Sequence, residues 1–449
     1  MDPDTFARYA ASNVPRYTSY PTAPAFSAAV AEDDYRDWLA EIAPGTGISL
    51  YLHVPFCRAM CLYCGCHTTV SARDAPIERY LDGLEREIEL VAEAAPRGLT
   101  VRHLHFGGGS PTLVPPRRMS ALMERMRSAF ALATDAEVAI EVDPRTLSDD
   151  MAATLGAEGF TRASIGVQCF DPVVQRAINR VQSAEETGAA VNSLRAAGIR
   201  GINFDLIYGL PHQTVASCLD TVEQALAMAP DRFAVFGYAH VPHFKQHQRR
   251  IDPAALPDFA GRLAQSRAIA AALRGAGYAE IGIDHFARQG DPLTEAWRAG
   301  ALRRNFQGYT TDSTAVLIGL GSSAIGRTPS GYAANSVSIS DYLARVAEGR
   351  LPVVRGYALG AEDRVRAAVI ERIMCDRKVD LQAVCKPFGW DAARLLDRQS
   401  LGQLECDGLI EQRGAVIEVT EPAFPLVRSV AAAFDAYLAD NAGRYSRAL

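Results

Sequence analysis

Short apolar runs of strand length alternate with helical patterns through the middle of the chain. The apolar runs are nearly continuous, and the segments between them carry apolar residues at helical spacing. This alternation is typical of an α/β fold with a parallel sheet covered by helices. It predicts strands at 48–54, 101–106, 138–142, 163–167, 202–207 and 233–238, and helices at 76–94, 116–130, 148–157, 184–197 and 215–229. An open or partial barrel fits this order, and a flavodoxin-like sheet fits the pattern as well.

The chain is less regular on both sides of this region. The first 46 residues are polar and broken by prolines, with no clear period apart from a short amphipathic helix near 34–42. Further patterns predict a helix at 257–275, a strand at 278–283, a strand and glycine-rich turn at 317–325, and a hairpin-like stretch at 408–419. We therefore expect an N-terminal arm or lid over 1–46, a barrel with an extension over 47–355, and a small helical, winged-helix-like domain over 356–449.

Composition places the chain among ordinary globular proteins. Hydrophobic residues make up 48% and charged residues 22%, which is enough apolar material for a large core. A net charge of −6 gives no general attraction to nucleic acid or to anionic membranes. The start, Met1-Asp2-Pro3-Asp4, lacks the basic and then apolar pattern of a signal peptide, and no apolar run reaches the length of a membrane span. We therefore expect a cytoplasmic protein without a membrane span.

Four of the nine cysteines follow the first predicted strand within ten residues. These are Cys57, Cys61, Cys64 and Cys66. Thiolates bind soft metals and iron–sulfur clusters, and a short loop allows several sulfurs to converge on one centre. A disulfide, a structural zinc site and a cubane cluster on the first three cysteines all remain open on spacing alone. Only the last would leave one iron free to bind a ligand. The scattered cysteines are interpreted as reduced core residues: Cys169, Cys218, Cys375, Cys385 and Cys406.

Polar or glycine-rich residues recur where the predicted strands end. A glycine run starts at Gly107, Glu141 and Gln168 close the third and fourth strands, and Asp205 lies within the fifth. Ligands of parallel α/β sheets sit beyond the carboxyl ends of the strands, so these residues predict one binding mouth. The glycines permit close approach of a ligand to the backbone, and the fork of Arg180 suits a carboxylate.

Several motifs together resemble a known family. They occupy 15–21 (Pro-Arg-Tyr-Thr-Ser-Tyr-Pro), 51–57 (Tyr-Leu-His-Val-Pro-Phe-Cys), 107–112 (Gly-Gly-Gly-Ser-Pro-Thr), 141–144 (Glu-Val-Asp-Pro), 205–211 (Asp-Leu-Ile-Tyr-Gly-Leu-Pro), 284–287 (Asp-His-Phe-Ala) and 304–311 (Arg-Asn-Phe-Gln-Gly-Tyr-Thr-Thr). With the C-x3-C-x2-C loop, they resemble the oxygen-independent coproporphyrinogen III dehydrogenases among the radical S-adenosylmethionine enzymes. The resemblance runs from about residue 13 to the C-terminal end, and it implies a partial (β/α)6 barrel with a C-terminal helical domain.

The resemblance also implies a set of site residues. One 4Fe-4S cluster would be held by Cys57, Cys61 and Cys64, while Cys66 would be a separate residue associated with activity. Two S-adenosylmethionine molecules are implied. The first would lie near Tyr51, Gly108, Glu141 and Ile325, and the second near Tyr63, Gly109, Ser110, Gln168, Arg180, Asp205 and Ala239. The sequence departs from the family's usual residues at Tyr63, Ser110 and Cys169, and only Cys169, which replaces an aspartate, changes charge.

The implied activity is the oxidative decarboxylation of two propionates of coproporphyrinogen III to vinyl groups. A 5′-deoxyadenosyl radical would remove a hydrogen atom from each propionate, and the product would be protoporphyrinogen IX of haem biosynthesis. The implied partners are the porphyrinogen and an electron donor such as flavodoxin or ferredoxin, and the chain is expected to be a monomer. Arg16, Arg303 and Arg304 are hypothetical partners of the substrate carboxylates. Alternatives on the same scaffold are a related haem chaperone and a radical haem-opening or methyl-transfer enzyme.

Overall fold

The computed structural model describes residues 1–395, 397–441 and 445–448. Packing divides the chain into two compact units. The barrel unit consists of Ser27–Ala272 and Asp312–Ala358, and the C-terminal unit consists of Met1–Phe26, Leu273–Thr311 and Leu359–Leu449. Both units combine separate stretches of the chain, so they do not correspond to consecutive segments. The division into domains at 1–46, 47–355 and 356–449 stays a prediction.

The elements follow in this order. The strands are β1 Gly47–Val54, β2 Phe56–Cys57, β3 Thr69–Val70, β4 Thr100–Gly108, β5 Ala131–Val142, β6 Arg162–Gln168, β7 Gly201–Tyr208, β8 Arg232–Gly237, β9 Ala279–Ile281, β10 His285–Ala287, β11 Arg303–Asn305, β12 Gly308–Thr310, β13 Val316–Leu320, β14 Ile325–Arg327, β15 Gly331–Asn335, β16 Val353–Ala358, β17 Lys378–Asp380, β18 Ile410–Arg413 and β19 Val416–Val419. The helices are α1 Pro3–Ala10, α2 Glu32–Ala40, α3 Ala75–Ala94, α4 Pro116–Ala129, α5 Asp149–Ala157, α6 Pro172–Ala177, α7 Ala184–Ala196, α8 Val215–Ala227, α9 Phe259–Gly275, α10 Pro292–Arg298, α11 Ile339–Ala347, α12 Ala361–Asp376, α13 Leu381–Cys385, α14 Arg398–Cys406, α15 Val427–Ala432 and α16 Leu438–Asn441.

The barrel unit is built on one sheet whose central strands follow chain order. The order is β16-β15-β14-β13-β1-β4-β5-β6-β7-β8. Strands β1 and β4 to β8 are parallel, and β13 pairs with the free side of β1 in the same direction. A flavodoxin-like sheet would have its first parallel strand between the second and the third, whereas β1, β4, β5, β6, β7 and β8 are neighbours here in chain order, which excludes that alternative. The partial (β/α)6 barrel is confirmed.

Local sequence explains why the helices begin where they do. Ser183 and Glu186 form a reciprocal capping box at α7, and Ser148 accepts a hydrogen bond from Met151 N at the start of α5. Helix α3 buries Ile77, Leu81, Leu84, Ile88 and Val91, which recur at helical spacing along one face. The helices therefore cover the sheet with the faces that the sequence pattern predicts.

The C-terminal unit has its own apolar core. Leu293, Leu302, Tyr309 and Cys375 are among the residues buried together there. Its last part runs α12, β17, α13, α14 and the β18–β19 hairpin, and β19 pairs with both other strands. The segment predicted to be winged-helix-like thus has the order helix, strand, helix, helix and hairpin, and its assignment as a winged-helix-like domain stays a prediction.

Two features of the fold differ from the sequence pattern. Residues 1–46 were expected to have only one short helix, but α1 forms at Pro3–Ala10, with Asp2 accepting from Thr5 N at its start. The run at 317–325 was predicted as one strand and turn, and the structure shows two antiparallel strands, β13 and β14. No helix in the described part of the chain is long and apolar enough to cross a membrane.

A buried carboxyl group joins α3 to the end of β13. Glu87 is only 1% exposed and accepts hydrogen bonds from Gly321 N at 2.6 Å, Tyr342 Oη at 2.7 Å and Asn335 Nδ2 at 2.7 Å. Burial raises the pKa of Glu87 to about 7, although these three donors oppose the rise. The folded state therefore binds this proton more tightly than the unfolded chain does. Its contribution to stability is complete below the ordinary pKa of 4.5 and is lost as pH rises through about 7.

We expect Glu87→Gln to flatten the dependence of stability on pH. The parent protein should lose about 2 kcal/mol more of its free energy of unfolding between pH 5 and pH 8 than the variant does. Urea unfolding at both pH values measures this difference. Glu93→Gln changes an exposed carboxyl group on the same helix and serves as the matched control. An equally steep decline in Glu87→Gln and in the parent would contradict the prediction.

Candidate active site

The four clustered cysteines lie on an irregular loop that follows β1. The loop is closed at its base by β2 and β3, which pair in parallel through Phe56 with Thr69 and Cys57 with Val70. Its backbone carbonyl groups are held by side chains from distant segments. Asn179 Nδ2 donates to Met60 O at 2.9 Å, Gln248 Nε2 to Tyr63 O at 3.1 Å and Lys245 Nζ to Cys66 O at 2.9 Å, and His247 Nε2 lies 2.8 Å from Cys64 O.

An apolar anchor adds to these hydrogen bonds. Leu62 is buried in a cluster with Val174, Ile178 and Leu210, and its N–H donates to Ile178 O at 2.9 Å. The loop is therefore fixed on both sides of Cys61. The residues between the cysteines, together with Cys64 and Cys66, attach the loop to the rest of the barrel unit.

Each of the three predicted cluster ligands has donors around its sulfur. Thr68 Oγ1 lies 3.2 Å and Ser110 Oγ 3.7 Å from Cys57 Sγ, although burial still raises the pKa of Cys57. A hydrogen bond from the Cys66 side chain lowers the pKa of Cys64 to about 6. Cys66 itself is exposed. Within the described residues, no group of three or more His, Cys, Asp or Glu side chains is arranged to hold a single metal ion.

Two arginines approach the sulfur of Cys61. Arg180 Nη1 lies 3.7 Å and Arg145 Nη2 3.9 Å from Cys61 Sγ. Asp143 binds both guanidinium groups. Arg145 donates through Nε at 2.9 Å and Nη2 at 2.6 Å, whereas both contacts from Arg180 measure 3.4 Å. Burial would raise the pKa of Asp143, but the two arginines bring it below its usual value. The carboxylate is therefore ionised at neutral pH.

The glycine run after β4 lies directly against the start of the cysteine loop. Gly109 N donates to Val54 O at 2.9 Å, and Ser110 N donates to Phe56 O at 2.7 Å. A Cβ atom on Gly109 would overlap the carbonyl oxygen of Phe56. The sequence predicted glycines that permit close backbone approach, and the structure shows that the approaching backbone includes the chain's own loop.

Aromatic and imidazole groups surround the carboxylate of Glu141. Tyr51 stacks on His105 with ring centroids 5.8 Å apart, and its Oη lies 3.0 Å from His53 Nδ1. His105 Nε2 lies 3.5 Å from Glu141 Oε1, and Gly108 N donates to Oε2 at 3.1 Å. Burial opposes ionisation of Glu141, but these neighbours outweigh it and lower its pKa. Glu141 is therefore an anion that can accept hydrogen bonds from a ligand.

The pKa of a second carboxyl group, that of Asp205, is raised and not lowered. Asp205 accepts from Ser164 Oγ at 3.1 Å and from Asn203 Nδ2 at 2.9 Å. Burial, with the nearby charge of Glu141, raises the pKa of Asp205 to about 7. On the neighbouring strand, Gln168 ends β6 with a φ of 63°, a conformation that side chains rarely adopt. Strain of this kind is common at binding sites.

The other predicted positions lie around these groups or outside the barrel unit. Ile325 starts β14 beside Gly319, which pairs with Tyr51, and Ala239 follows the end of β8. Tyr63 packs against the cluster that contains Leu62 and Cys169, so the cysteine that replaces the family's aspartate is a buried core residue. The three candidate substrate arginines belong to the C-terminal unit: Arg303 pairs with Glu371 at 2.8 Å, and Arg304 Nη2 donates to Arg16 O at 3.2 Å.

Sequence reasoning did not single out several members of this site. The sequence motifs contain His53 and Asp143 without indicating a role for either, and the sequence did not predict Arg145, His105 or His247 as site residues. His105 had a detectable signal, since it is a polar residue inside an apolar strand next to a glycine run. Arg145 had none, because its contact with Cys61 joins residues 84 positions apart in the chain.

Comparisons with known proteins agree with this architecture. Residues 51–225 match the model of the Radical SAM superfamily, and residues 359–426 match that of the HemN C-terminal domain. An oxygen-independent coproporphyrinogen III oxidase of Bradyrhizobium diazoefficiens is 53% identical over 100% of both chains. The protein of the same name from Pseudomonas aeruginosa is 40% identical over 100% of this chain and 98% of its own.

A solved structure gives the same result. Coproporphyrinogen III oxidase (HemN) from Escherichia coli, described as a radical SAM enzyme, superimposes with a TM-score of 0.90 at 40% identity, and the match covers 94% of this chain and 98% of that one. Identity at this level over nearly the whole length of each relative includes both the cysteine loop and the C-terminal segment. The chain therefore belongs to the oxygen-independent coproporphyrinogen III oxidase family of the radical SAM superfamily.

Proposed function

We propose that this protein catalyses the oxygen-independent oxidation of coproporphyrinogen III in haem biosynthesis. Two propionate side chains are decarboxylated to vinyl groups, which gives protoporphyrinogen IX. The observation that carries this function is the 53% identity over the complete chain to a protein of that name. We further propose that the enzyme works in the cytoplasm as a monomer and receives electrons from a small carrier such as flavodoxin or ferredoxin.

The residues of the loop suit a 4Fe-4S cluster on Cys57, Cys61 and Cys64. A cluster needs thiolate ligands, and hydrogen-bond donors around the sulfurs stabilise that charge. Two hydroxyl groups face Cys57 Sγ, two guanidinium groups face Cys61 Sγ, and the pKa of Cys64 is about 6. When bound, the cluster and S-adenosylmethionine supply an organic radical that removes a hydrogen atom from the substrate.

The chain's own groups would bind and orient the sulfonium cofactor. Glu141 is an anion at the carboxyl end of β5 and can accept from an amino group or from ribose hydroxyls. The backbone at Gly108 leaves this approach free of side chains, and Tyr51 and Ile325 border the same strands. The first S-adenosylmethionine is therefore proposed to lie near Tyr51, Gly108, Glu141 and Ile325.

We also propose a second S-adenosylmethionine beside the first. Its neighbours would be Tyr63, Gly109, Ser110, Gln168, Arg180, Asp205 and Ala239. Asp205 supports this position because a carboxyl group with a pKa of about 7 can accept or hold a proton at neutral pH. The strained backbone at Gln168 is a further sign of a binding surface.

Equilibrium binding to the cluster-loaded protein should give two equivalents of S-adenosylmethionine per chain. Asp205→Asn removes the ionisable group proposed for the second molecule, so we expect it to weaken one of the two binding events at least tenfold. Isothermal titration under anaerobic conditions separates the two events. A single equivalent in the parent protein would contradict the second site and leave the first unaffected.

Serine substitutions should divide the clustered cysteines into two groups. We expect Cys57→Ser, Cys61→Ser and Cys64→Ser each to lose most bound iron and all turnover, because a cluster iron loses its thiolate. Cys66→Ser should keep the iron but lose turnover. The measurements are iron and sulfide content, visible absorbance, and anaerobic conversion of coproporphyrinogen III. Cys406→Ser alters an exposed cysteine of the C-terminal unit and is the control.

Two results would overturn parts of this proposal. Iron lost together with Cys66 would make that residue a ligand. Tight haem binding by the parent protein without conversion of the porphyrinogen would favour a chaperone instead.

The glycine run gives a separate prediction. Gly109→Ala places a methyl group on the carbonyl oxygen of Phe56, so we expect a cost of about 1–3 kcal/mol and a sharp loss of cluster content. Gly188→Ala is the matched control, since nothing lies within 4 Å of its added Cβ and helix α7 should gain up to about 1 kcal/mol. Thermal melting and iron content measure both effects. Full iron in Gly109→Ala would show that the loop moves freely relative to the glycines.

A further inference from the structure

Charged side chains form a compact group around the sulfur of Cys61, and this group suggests a role other than the binding of S-adenosylmethionine. Its members are Cys61, Asp143, Arg145 and Arg180. Arg180 is 7% exposed, and Asp143 and Cys61 are each 9% exposed, so most of the group is shielded from water. Interactions between charges are stronger in such surroundings than on an open surface.

The positive charge of the group exceeds the negative charge that Asp143 supplies. Arg145 and Arg180 contribute two positive charges, and Asp143 contributes one negative charge. One positive charge would remain unpaired in a buried place, which is costly. The sulfur of Cys61 lies within 4 Å of both guanidinium groups, so a cluster bound there would place its negative charge beside this excess positive charge.

Of the two arginines, Arg145 is bound more closely by Asp143. Its Nε and Nη2 bind the two oxygens of Asp143 at 2.9 and 2.6 Å, and its own N–H donates to Asp143 Oδ1 at 3.2 Å. The turn after β5 thus fixes the carboxylate and the guanidinium as one unit. This two-oxygen contact aims Nη2 at Cys61 Sγ, 3.9 Å away.

We propose that Arg145, oriented by Asp143, is a positioning residue that raises the reduction potential of the cluster through its contact with Cys61. Reduction adds a negative charge to the cluster. A cation held beside one ligand sulfur stabilises the reduced state more than the oxidised state. The residue thereby makes it easier for an electron carrier to reduce the cluster. This inference rests on the proposed function in one respect, namely that Cys61 is a cluster ligand.

The test compares the midpoint potentials of Arg145→Gln, Arg145→Lys and the parent. The full-length protein is reconstituted without oxygen, and the reduced cluster is followed by electron paramagnetic resonance during a redox titration, with and without S-adenosylmethionine. We expect a more negative midpoint in Arg145→Gln. Lysine keeps the charge but cannot bind both Asp143 oxygens and the sulfur, so Arg145→Lys should lie between the two.

Arg58→Gln is the matched control. Arg58 is next to Cys57 in the chain, but its guanidinium group binds Ser71 O and Asp74 and makes no hydrogen bond to a cysteine sulfur. Its loss removes one positive charge from the cysteine loop itself and should leave the midpoint unchanged. An equal shift in Arg58→Gln would overturn the proposal, because any nearby charge would then act alike. A merely structural role of Arg145 would lower the melting temperature without moving the midpoint, and that result would overturn it as well.

Two further outcomes are decisive. If Arg145→Gln holds no cluster, Arg145→Lys carries the test, and an unshifted midpoint there overturns the inference. Full iron content in Cys61→Ser would instead overturn the cluster assignment of the proposed function. Failure of the inference and failure of the function are thus distinguishable.

Discussion

The proposed cluster would require negative charge on the sulfurs of Cys57, Cys61 and Cys64, and the proposed site depends on this constraint. The protein carries a net charge of −6, so the compensating positive charge has to be local. Hydroxyl groups face Cys57, whereas Cys61 faces two guanidinium groups and Cys64 accepts from Cys66. The three sulfurs therefore differ in their surroundings, and the strongest positive charge is concentrated at Cys61.

The positions of these sulfurs depend on hydrogen bonds to the backbone of the cysteine loop. The loop between β2 and β3 has no regular structure, so its carbonyl groups need partners from elsewhere. Those partners are Asn179, Lys245, His247 and Gln248, which come from segments after β6 and β8. The parallel register of the sheet brings the ends of those strands to the same edge as the end of β1. The geometry of the cysteine loop is thus a consequence of the order of the strands.

The sequence predicted the strands well because each of them contributes several buried apolar residues within a short stretch of the chain. The run at 48–54 became Gly47–Val54, and the run at 233–238 became Arg232–Gly237. Hydrophobic pattern alone could not show that β13 pairs with β1, since pairing partners leave no local signal. Helix α1 was missed although Asp2 and Pro3 are ordinary start signals, because its buried side is only Phe6 and Ala10.

Only part of the site was predicted, because contacts between distant segments leave no local signal in the sequence. The cysteines and glycines are close in sequence and form motifs, so their chemistry was visible. The group around Cys61 combines four residues from three segments of the chain. Asp143 and Arg145 are almost adjacent, but their relation to Cys61 and Arg180 exists only after the strand ends have met.

Arg180 is held mainly by groups other than Asp143. Its Nη2 donates to Gly166 O at 2.6 Å and its Nε to Gln182 Oε1 at 3.0 Å, which fixes the plane of the guanidinium group. Its contacts with Asp143 are long, at 3.4 Å, because that carboxylate is bound more closely by Arg145. A ligand carboxylate that replaced these longer contacts would leave the closer pair between Asp143 and Arg145 in place. The arginine predicted to bind a cofactor carboxylate and the arginine inferred to act on the cluster are different residues, and one aspartate keeps their roles separate.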